Sequence, residues 1–274
     1  MKESKNMTEK KRIAILGAGN IGTAIARGLV ASGRFSTDEV TLTRRRLSLL
    51  EEFDKEGYVT LSDNKEAIRS SDIILIAVEP QQLNQLLDEI KGSFDEERHL
   101  LISVVSGVTI KKMKERLDDD VTITRAMPNT AIAIRESMTC ICSEEGNGEA
   151  IEITRSLFGT VGKTVVIMEE QMTSATALCA CGIAFFLRSI RAASQGGIEI
   201  GFHSHEALLM AAQTAKGAAS LLAGKENHPE FEIDKVTTPR GCTISGLNQM
   251  EHSGFSSAMI KGILLSAEKA GKLY

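Results

Sequence analysis

A doubly wound parallel α/β sheet followed by an all-helical domain is the fold class that this chain of 274 residues predicts. Three observations carry the prediction. Through the first 168 residues, apolar runs of strand length alternate with segments of helical spacing, the pattern of a parallel sheet with crossover helices. One run, Asp72–Val78 (DIILIAV), is continuously apolar, as a strand buried on both faces must be. After Glu170 the strand pattern stops and the chain becomes rich in Ala, Leu and Phe at helical spacing. The length suits two domains, each able to bury its own core.

In order, residues 12–16 (RIAIL) form the first strand, followed by the turn GAGNIG and a helix over AIARGLVASG. Residues 39–43 (EVTLT) are the second strand and 45–56 the second helix. Strands follow at 72–78, 100–105 and 121–124 with helices between, then at 137–142 and 164–168 around a helix over 148–158. The boundary falls near residue 168, giving a sheet domain over 11–168 and a helical domain over 169–274. A long helical run from Met172 to Ser194 ends at the pair Gly196-Gly197. A further helix over 204–223 is capped by Ser204 before it and Gly224 after it. The stretch from Ala177 to Ile190 is apolar on most of its faces, and the helical domain offers too few partners to cover it, so a homodimer core is expected. Near the C-terminus, TTPRGCTISG reads as a tight loop entering a helix, with Thr243 as N-cap ahead of Ile244, Leu247 and Met250.

Composition excludes several classes. The formal net charge of −4 leaves no basic face to neutralise a run of phosphates, and aromatics at 4% without Trp supply few stacking platforms, so nucleic acid is not a partner. No run of eighteen apolar residues is present, so no membrane span is expected. The first ten residues, MKESKNMTEK, lack the apolar segment of a signal peptide and are expected to be a frayed tail. Five cysteines, an odd number, suit a reducing cytoplasm better than a disulfide framework. Cys140 and Cys142 fall on a strand, and Cys179 and Cys181 in a small-residue segment. With His203 and His205 as the only candidate closing partners, buried free thiols are expected and no metal.

Gly17-Ala18-Gly19-Asn20-Ile21-Gly22 follows a strand and opens a helix, which gives G-x-G-x-x-G its meaning as a dinucleotide-binding turn. The first glycine makes the turn, the second lets a pyrophosphate reach the backbone, and the third packs helix on strand. The end of the second strand then discriminates between cofactors. An acid there would hold the ribose 2′-hydroxyl of NAD. Here the sequence is Thr43-Arg44-Arg45-Arg46 with no acid until Glu51, which favours the 2′-phosphate of NADP. The alternative is that Arg45 and Arg46 are a solvated helix start and only Arg44 makes contact.

Several segments together resemble the pyrroline-5-carboxylate reductase family: ILGAGNIG, Ala77-Val-Glu-Pro80, Ser103-Val-Val-Ser-Gly107, Arg125-Ala-Met-Pro-Asn-Thr130 and the stretch from Asp234 to Phe255. The resemblance runs in order over nearly the whole chain after residue 11. It implies a Rossmann-like NADP-binding domain, a helical dimerisation domain often assembled into rings of dimers, and reduction of 1-pyrroline-5-carboxylate to L-proline with NADPH. Position by position, Leu16 through Ile21 would hold the pyrophosphate. Arg44, with Arg45 beside it, would meet the 2′-phosphate, and Asn64 would lie near the adenosine end. Ala77, Val78 and Glu79 would lie along the cofactor, and Ser106 near the nicotinamide. Gly241, Cys242 and Thr243 would hold the substrate, with Glu169 bordering its pocket and Thr243 as the catalytic contact. The chain departs from the family's pattern in three places. Glu79 stands where Lys is common, Arg240 where Gly is usual, and Cys179-Ala-Cys-Gly-Ile183 where the family has Ser-Gly-Ser-Gly-Pro.

The implied chemistry needs a hydride from the nicotinamide and a proton on nitrogen, and a cyclic imine is basic enough to arrive largely protonated. Positioning is then the protein's main contribution, with reacting atoms roughly 3–3.5 Å apart. Amides at Gly241, Cys242 and Thr243 would grip the substrate carboxylate at a helix N-terminus, and the Thr243 hydroxyl would bond the ring nitrogen. An NADP-dependent reductase of another cyclic imine is one alternative, and two other readings stay open. A β-hydroxyacid dehydrogenase-like enzyme would want a Lys in the first long helix of the helical domain, and residues 172–187 contain none. An NADP-binding protein without turnover is the other.

Overall fold

The computed structural model describes residues 11–117, 121–223 and 228–273. The expected N-terminal tail and the Gly224 cap lie outside the described residues. Cys181–Leu265 form one compact unit and the rest of the chain the other.

The first unit is built on eight strands: β1 (Ile13–Leu16), β2 (Val40–Thr43), β3 (Val59–Leu61), β4 (Ile73–Ile76), β5 (Leu100–Ser103), β6 (Ile123–Met127), β7 (Ser137–Ser143) and β8 (Gly162–Val166). Their order across the sheet is β3-β2-β1-β4-β5-β6-β7-β8. Every neighbouring pair is parallel except β6 with β7, which pairs Arg125 opposite Cys142 and Met127 opposite Cys140. The helices of this unit are α1 (Asn20–Ala31), α2 (Glu51–Lys55), α3 (Asn64–Arg69), α4 (Pro80–Ile90), α5 (Ile110–Lys114), α6 (Gly148–Gly159) and α7 (Met172–Ala175).

Alternation along the central strands fills both faces, because successive side chains point to opposite sides. Ile13 and Ile15 of β1 join Ile73, Leu75 and Ile102 under α1 and α6, against Ile25, Leu29, Leu157 and Phe158. Ala14 and Leu16 join Ile74, Ile76 and Leu101 under α3, α4 and α5, against Ile68, Leu83, Leu87 and Met113. The sheet is therefore doubly wound. The direction in which successive strands are added reverses between β1 and β4, and that switch point opens a crevice at the strands' carboxyl ends.

Two local readings are corrected. The helix expected over 45–56 begins late: Arg44–Arg46 are loop, Leu47–Leu50 a 3-10 turn, and only Glu51–Lys55 are α-helical. Strand β3 escaped the sequence reading because it is a three-residue edge strand, half-buried throughout and without an apolar run. By compactness, residues up to Ala180 pack with the sheet unit. Met172, Ala175 and Cys179 sit against Met127, Cys140 and Cys142 of the sheet.

The second unit contains α8 (Gly182–Glu199), α9 (Ser204–Leu222), α10 (Pro229–Asp234), α11 (Cys242–His252) and the greater part of α12 (Phe255–Ala270). Helix α8 runs through Gly196-Gly197 instead of ending there. The reason is contact, since a Cβ on Gly197 would lie 3.0 Å from the Cβ of Ala207 on α9. The cap of α9 is His203, not Ser204, with the His203 amide donating to Glu206 Oε2 at 3.1 Å. Considered alone, this unit has almost no core. Phe186, Leu187, Leu209, Ile260, Leu264 and Leu265 are all more than half exposed. Full burial of such a side chain stabilises by about 1.5–3 kcal/mol. By length and composition, the continuous helical stretch Glu169–Glu199 is apolar enough to cross a membrane, despite Arg188 and Arg191 within it.

Candidate functional site: a glycine-lined crevice and a helix-capping loop

A cavity of about 570 Å³ occupies the switch-point crevice of the first unit. Its floor is the turn after β1. The Ala18 amide donates to the Thr43 carbonyl at 2.9 Å, and the Ala77 amide to the Leu16 carbonyl at 2.8 Å, fixing the loop to β2 and β4. Gly17 has φ +88°, and a Cβ there would meet Val78 Cγ1 at 2.4 Å. Gly22 is held close, with Gly17 O 3.0 Å from where its Cβ would stand. Gly19 differs from both: nothing lies within 4 Å of a Cβ built on it. That open space lies at the N-cap of α1, where free amides and the helix dipole favour an anion.

The cavity is lined by Gly17, Gly19, Arg44, Arg45, Asn64, Ala77, Val78 and Glu79 among the expected residues. The others lie elsewhere. Leu16, Ala18 and Ile21 turn their side chains into the core, and Asn20 is exposed at the first position of α1. Ser106 is half-buried in the turn after β5, with its hydroxyl 3.8 Å from Met127 Sδ.

The wall beside the glycine turn, at the end of β2, is basic. Arg44 Nη1 donates to the Ala18 carbonyl at 3.2 Å, so its guanidinium lies against the turn, while Arg45 and Arg46 line the cavity and are exposed. At the far end, Asn64 Nδ2 donates to Glu89 Oε1 at 2.9 Å, and Asn64 Oδ1 accepts from the Thr43 hydroxyl at 2.6 Å. The same hydroxyl oxygen accepts from the Gly17 amide at 3.3 Å, which joins Asn64 to the glycine turn through one chain of bonds. Sequence reading missed Ser62, Gln82, Gln85 and Glu89, and named Arg46 only in the basic run after β2; all five line the cavity. The signal was available on α4. Gln82, Gln85 and Glu89 recur at helical spacing as a polar stripe, opposite the buried Leu83, Leu87 and Ile90.

Glu169 accepts from the Ile110 amide at 2.8 Å and from Arg125 Nη1 at 3.0 Å. The arginine side chain is only 5% exposed. Glu169 therefore neutralises a buried cation and binds the first amide of α5, a pair that is costly to break by removing one partner.

In the second unit, the loop before α11 is capped by Gly241, not by Thr243, which is the second residue of the helix. A Cβ on Gly241 would lie 2.6 Å from the Thr238 hydroxyl and 2.9 Å from its carbonyl, so the turn requires glycine. Arg240 has φ +60°, a left-handed conformation in which glycine is the unstrained residue, and its side chain is exposed. With Gly241 as cap, the amides of Cys242, Thr243 and Ile244 have no partner within the helix. The arrangement suits a carboxylate. Among the described residues, no group of three or more His, Cys, Asp or Glu could hold a metal ion.

Two family models match the chain: NADP oxidoreductase coenzyme F420-dependent over residues 12–107, and pyrroline-5-carboxylate reductase dimerisation over residues 169–273. Pyrroline-5-carboxylate reductase 1 of Dictyostelium discoideum is 53% identical over 96% of this chain, which spans only 50% of that relative's length. Pyrroline-5-carboxylate reductase 2 of the same organism is 50% identical, over 97% of this chain and 94% of the relative. Among solved structures, a pyrroline-5-carboxylate reductase from Coxiella burnetii superposes with a TM-score of 0.87 at 27% identity, covering 97% of this chain and 99% of that one. With a Rossmann-type sheet, an NADP-oxidoreductase match at the glycine turn and a matching dimerisation segment, the chain belongs to the pyrroline-5-carboxylate reductase family.

Proposed function

We propose that this protein reduces 1-pyrroline-5-carboxylate to L-proline with NADPH in preference to NADH, the last step of proline biosynthesis. The observation that carries the reading is the crevice at the switch point. An open glycine lies beside a wall of Arg44, Arg45 and Arg46, and no acid stands at the end of β2. The residues fit the cofactor: Gly17 and Gly19 with the first amides of α1 suit the pyrophosphate, and the guanidinium groups suit the 2′-phosphate. NADPH, when bound, supplies the hydride.

The remaining work belongs to the chain. The Gly241 amide expected at the carboxylate is instead taken by the Thr238 carbonyl at 2.9 Å, so the amides of Cys242, Thr243 and Ile244 hold the substrate carboxylate, and the Thr243 hydroxyl oxygen accepts a hydrogen bond from the iminium N–H. A protonated ring nitrogen makes a separate catalytic acid unnecessary. The helical domain pairs with a second copy. The half-exposed apolar side chains of α8, α9 and α12 support that dimer, which also accounts for the apolar stretch Glu169–Glu199 without a membrane. Rings of dimers, a cytoplasmic location and the absence of a nucleic-acid partner belong to the same reading.

A substrate panel tests it. NADPH oxidation should be fast with 1-pyrroline-5-carboxylate, slower with the six-membered imine acid, and absent in reverse with a 3-hydroxy acid and NADP. A preference for the 3-hydroxy acid would overturn the reading.

A further inference from the structure

Cys140 and Cys179 play no part in the proposed reaction, yet the fold brings them together. Cys140 is buried on β7, and Cys179 lies in a π-helical turn, Thr176–Cys181, that leads into α8. Their sulfur atoms are 3.9 Å apart in the small cluster that also contains Met127, Cys142, Met172 and Ala175. We propose that Cys140 and Cys179 form a hydroperoxide-sensitive dithiol that closes to an intramolecular disulfide.

The geometry sets the roles. A disulfide needs the sulfurs at about 2.05 Å, so they must approach by roughly 2 Å. The strand is fixed in the sheet by its pairing with β6 and β8, whereas a π-helical turn carries an extra residue that can be taken up. Within one chain Cys179 is half-buried and Cys140 is buried, so Cys179 is the more accessible of the two.

Chemistry points the same way. The hydrogen bond with Cys140 holds the Cys179 thiol down at about 7 despite partial burial. The same bond, with burial, pushes Cys140 above the usual thiol range, so it remains the proton carrier of the pair. The nearby charged groups Arg125, Glu169 and Glu170 act on Cys142 instead, which burial drives up to about 11. Thiolate character and access together mark Cys179 as the reactive thiol.

In the first step the Cys179 thiolate, its proton already released to solvent, attacks the peroxide; an S–O bond forms as the O–O bond breaks, and the leaving oxygen takes a proton from solvent and departs as water or alcohol. In the second, Cys140 sulfur attacks Cys179 sulfur, the S–S bond forms as the S–O bond breaks, and the Cys140 proton leaves with the oxygen as water. Two thiols are oxidised and one hydroperoxide is reduced.

The test treats the reduced full-length protein with hydrogen peroxide at a few molar equivalents, then denatures and alkylates it for mass spectrometry. Two of the five thiols should escape alkylation, with a mass loss of two hydrogens and a cross-link between the peptides carrying Cys140 and Cys179. Dithiothreitol should restore all five. The rate of closure should be half-maximal near pH 7, the range set by Cys179. Cys179→Ser and Cys140→Ser should each abolish the cross-link, and Cys181→Ser should leave it intact. Because Cys179 is only half-buried, Cys179→Ser decides the matter if Cys140→Ser fails to fold. A cross-link between any other pair, oxygen addition without a cross-link, or closure that persists in Cys179→Ser would overturn the proposal.

Discussion

Gly17 and Gly19 are two residues apart in one turn, yet the structure gives them opposite reasons to be glycine, and substitution separates the two. Alanine at Gly17 would carry a left-handed φ of +88° and a Cβ 2.4 Å from Val78 Cγ1 and 3.1 Å from the Ala77 carbonyl. The conformation costs about 1–2 kcal/mol. The overpacking adds about 1–3 kcal/mol. Gly17→Ala should therefore lose roughly 2–5 kcal/mol, a fall in Tm of roughly 5–15 °C for a protein of this size. Gly19→Ser meets no atom within 4 Å and stands at an N-cap, where serine gains a few tenths of a kcal/mol over glycine. Its Tm should hold or rise slightly. NADPH affinity should nevertheless fall by roughly ten- to 150-fold, because a side chain now occupies the approach to amide contacts worth about 1.5–3 kcal/mol. Thermal melts and NADPH fluorescence titration read the two effects independently. If Gly19→Ser binds NADPH like the parent, the pyrophosphate does not approach there and the assignment of the turn is wrong.

Three further outcomes are expected. Arg44→Ala combined with Arg45→Ala should raise KM for NADPH by roughly tenfold or more while changing KM for NADH little, and equal effects would refute the 2′-phosphate assignment. Arg240→Gly should relieve about 1–2 kcal/mol of left-handed strain against about 0.5–1 kcal/mol of added unfolded-state freedom, raising Tm slightly; a fall in Tm shows a side-chain role. Burial pushes the Asp72 carboxyl up, but the Arg12 amide at 2.8 Å and Arg98 Nε at 2.9 Å outweigh it and hold the group below its usual range. A depressed carboxylate stabilises the fold above its unfolded pKa and loses that contribution as pH falls through the folded value. Asp72→Asn should thus cost about 1–2 kcal/mol at pH 7, and its melts should converge with the parent's once pH falls below the folded-state value, beneath the usual carboxylate range. A gap that persists in acid would contradict that account.

The central strands were legible because burial on both faces leaves continuous apolar runs, as in Asp72–Val78. Edge strand β3 was not, since three half-buried residues carry no such pattern. The glycine turn was legible because backbone geometry there demands particular residues. The wall of α4 was missed because Gln82, Gln85 and Glu89 look like any solvated helix face until the sheet brings them to the crevice. The caps at His203 and Gly241 were each misassigned to a nearby hydroxyl residue. A Ser or Thr near a helix start is a prior for capping, whereas the observed cap depends on where the chain bends. Gly196-Gly197 was read as a stop, and its cause, the contact with Ala207, comes from another helix.

The most direct measurement of the central claim is the product balance with NADPH and 1-pyrroline-5-carboxylate, following absorbance loss and quantifying L-proline in the same reaction. The account predicts one L-proline per NADPH oxidised, with kcat/KM reduced by roughly ten- to a few hundred-fold in Thr243→Ala and little changed in Cys242→Ala. NADPH binding without any L-proline, or turnover that survives Thr243→Ala and disappears in Cys242→Ala, would contradict it.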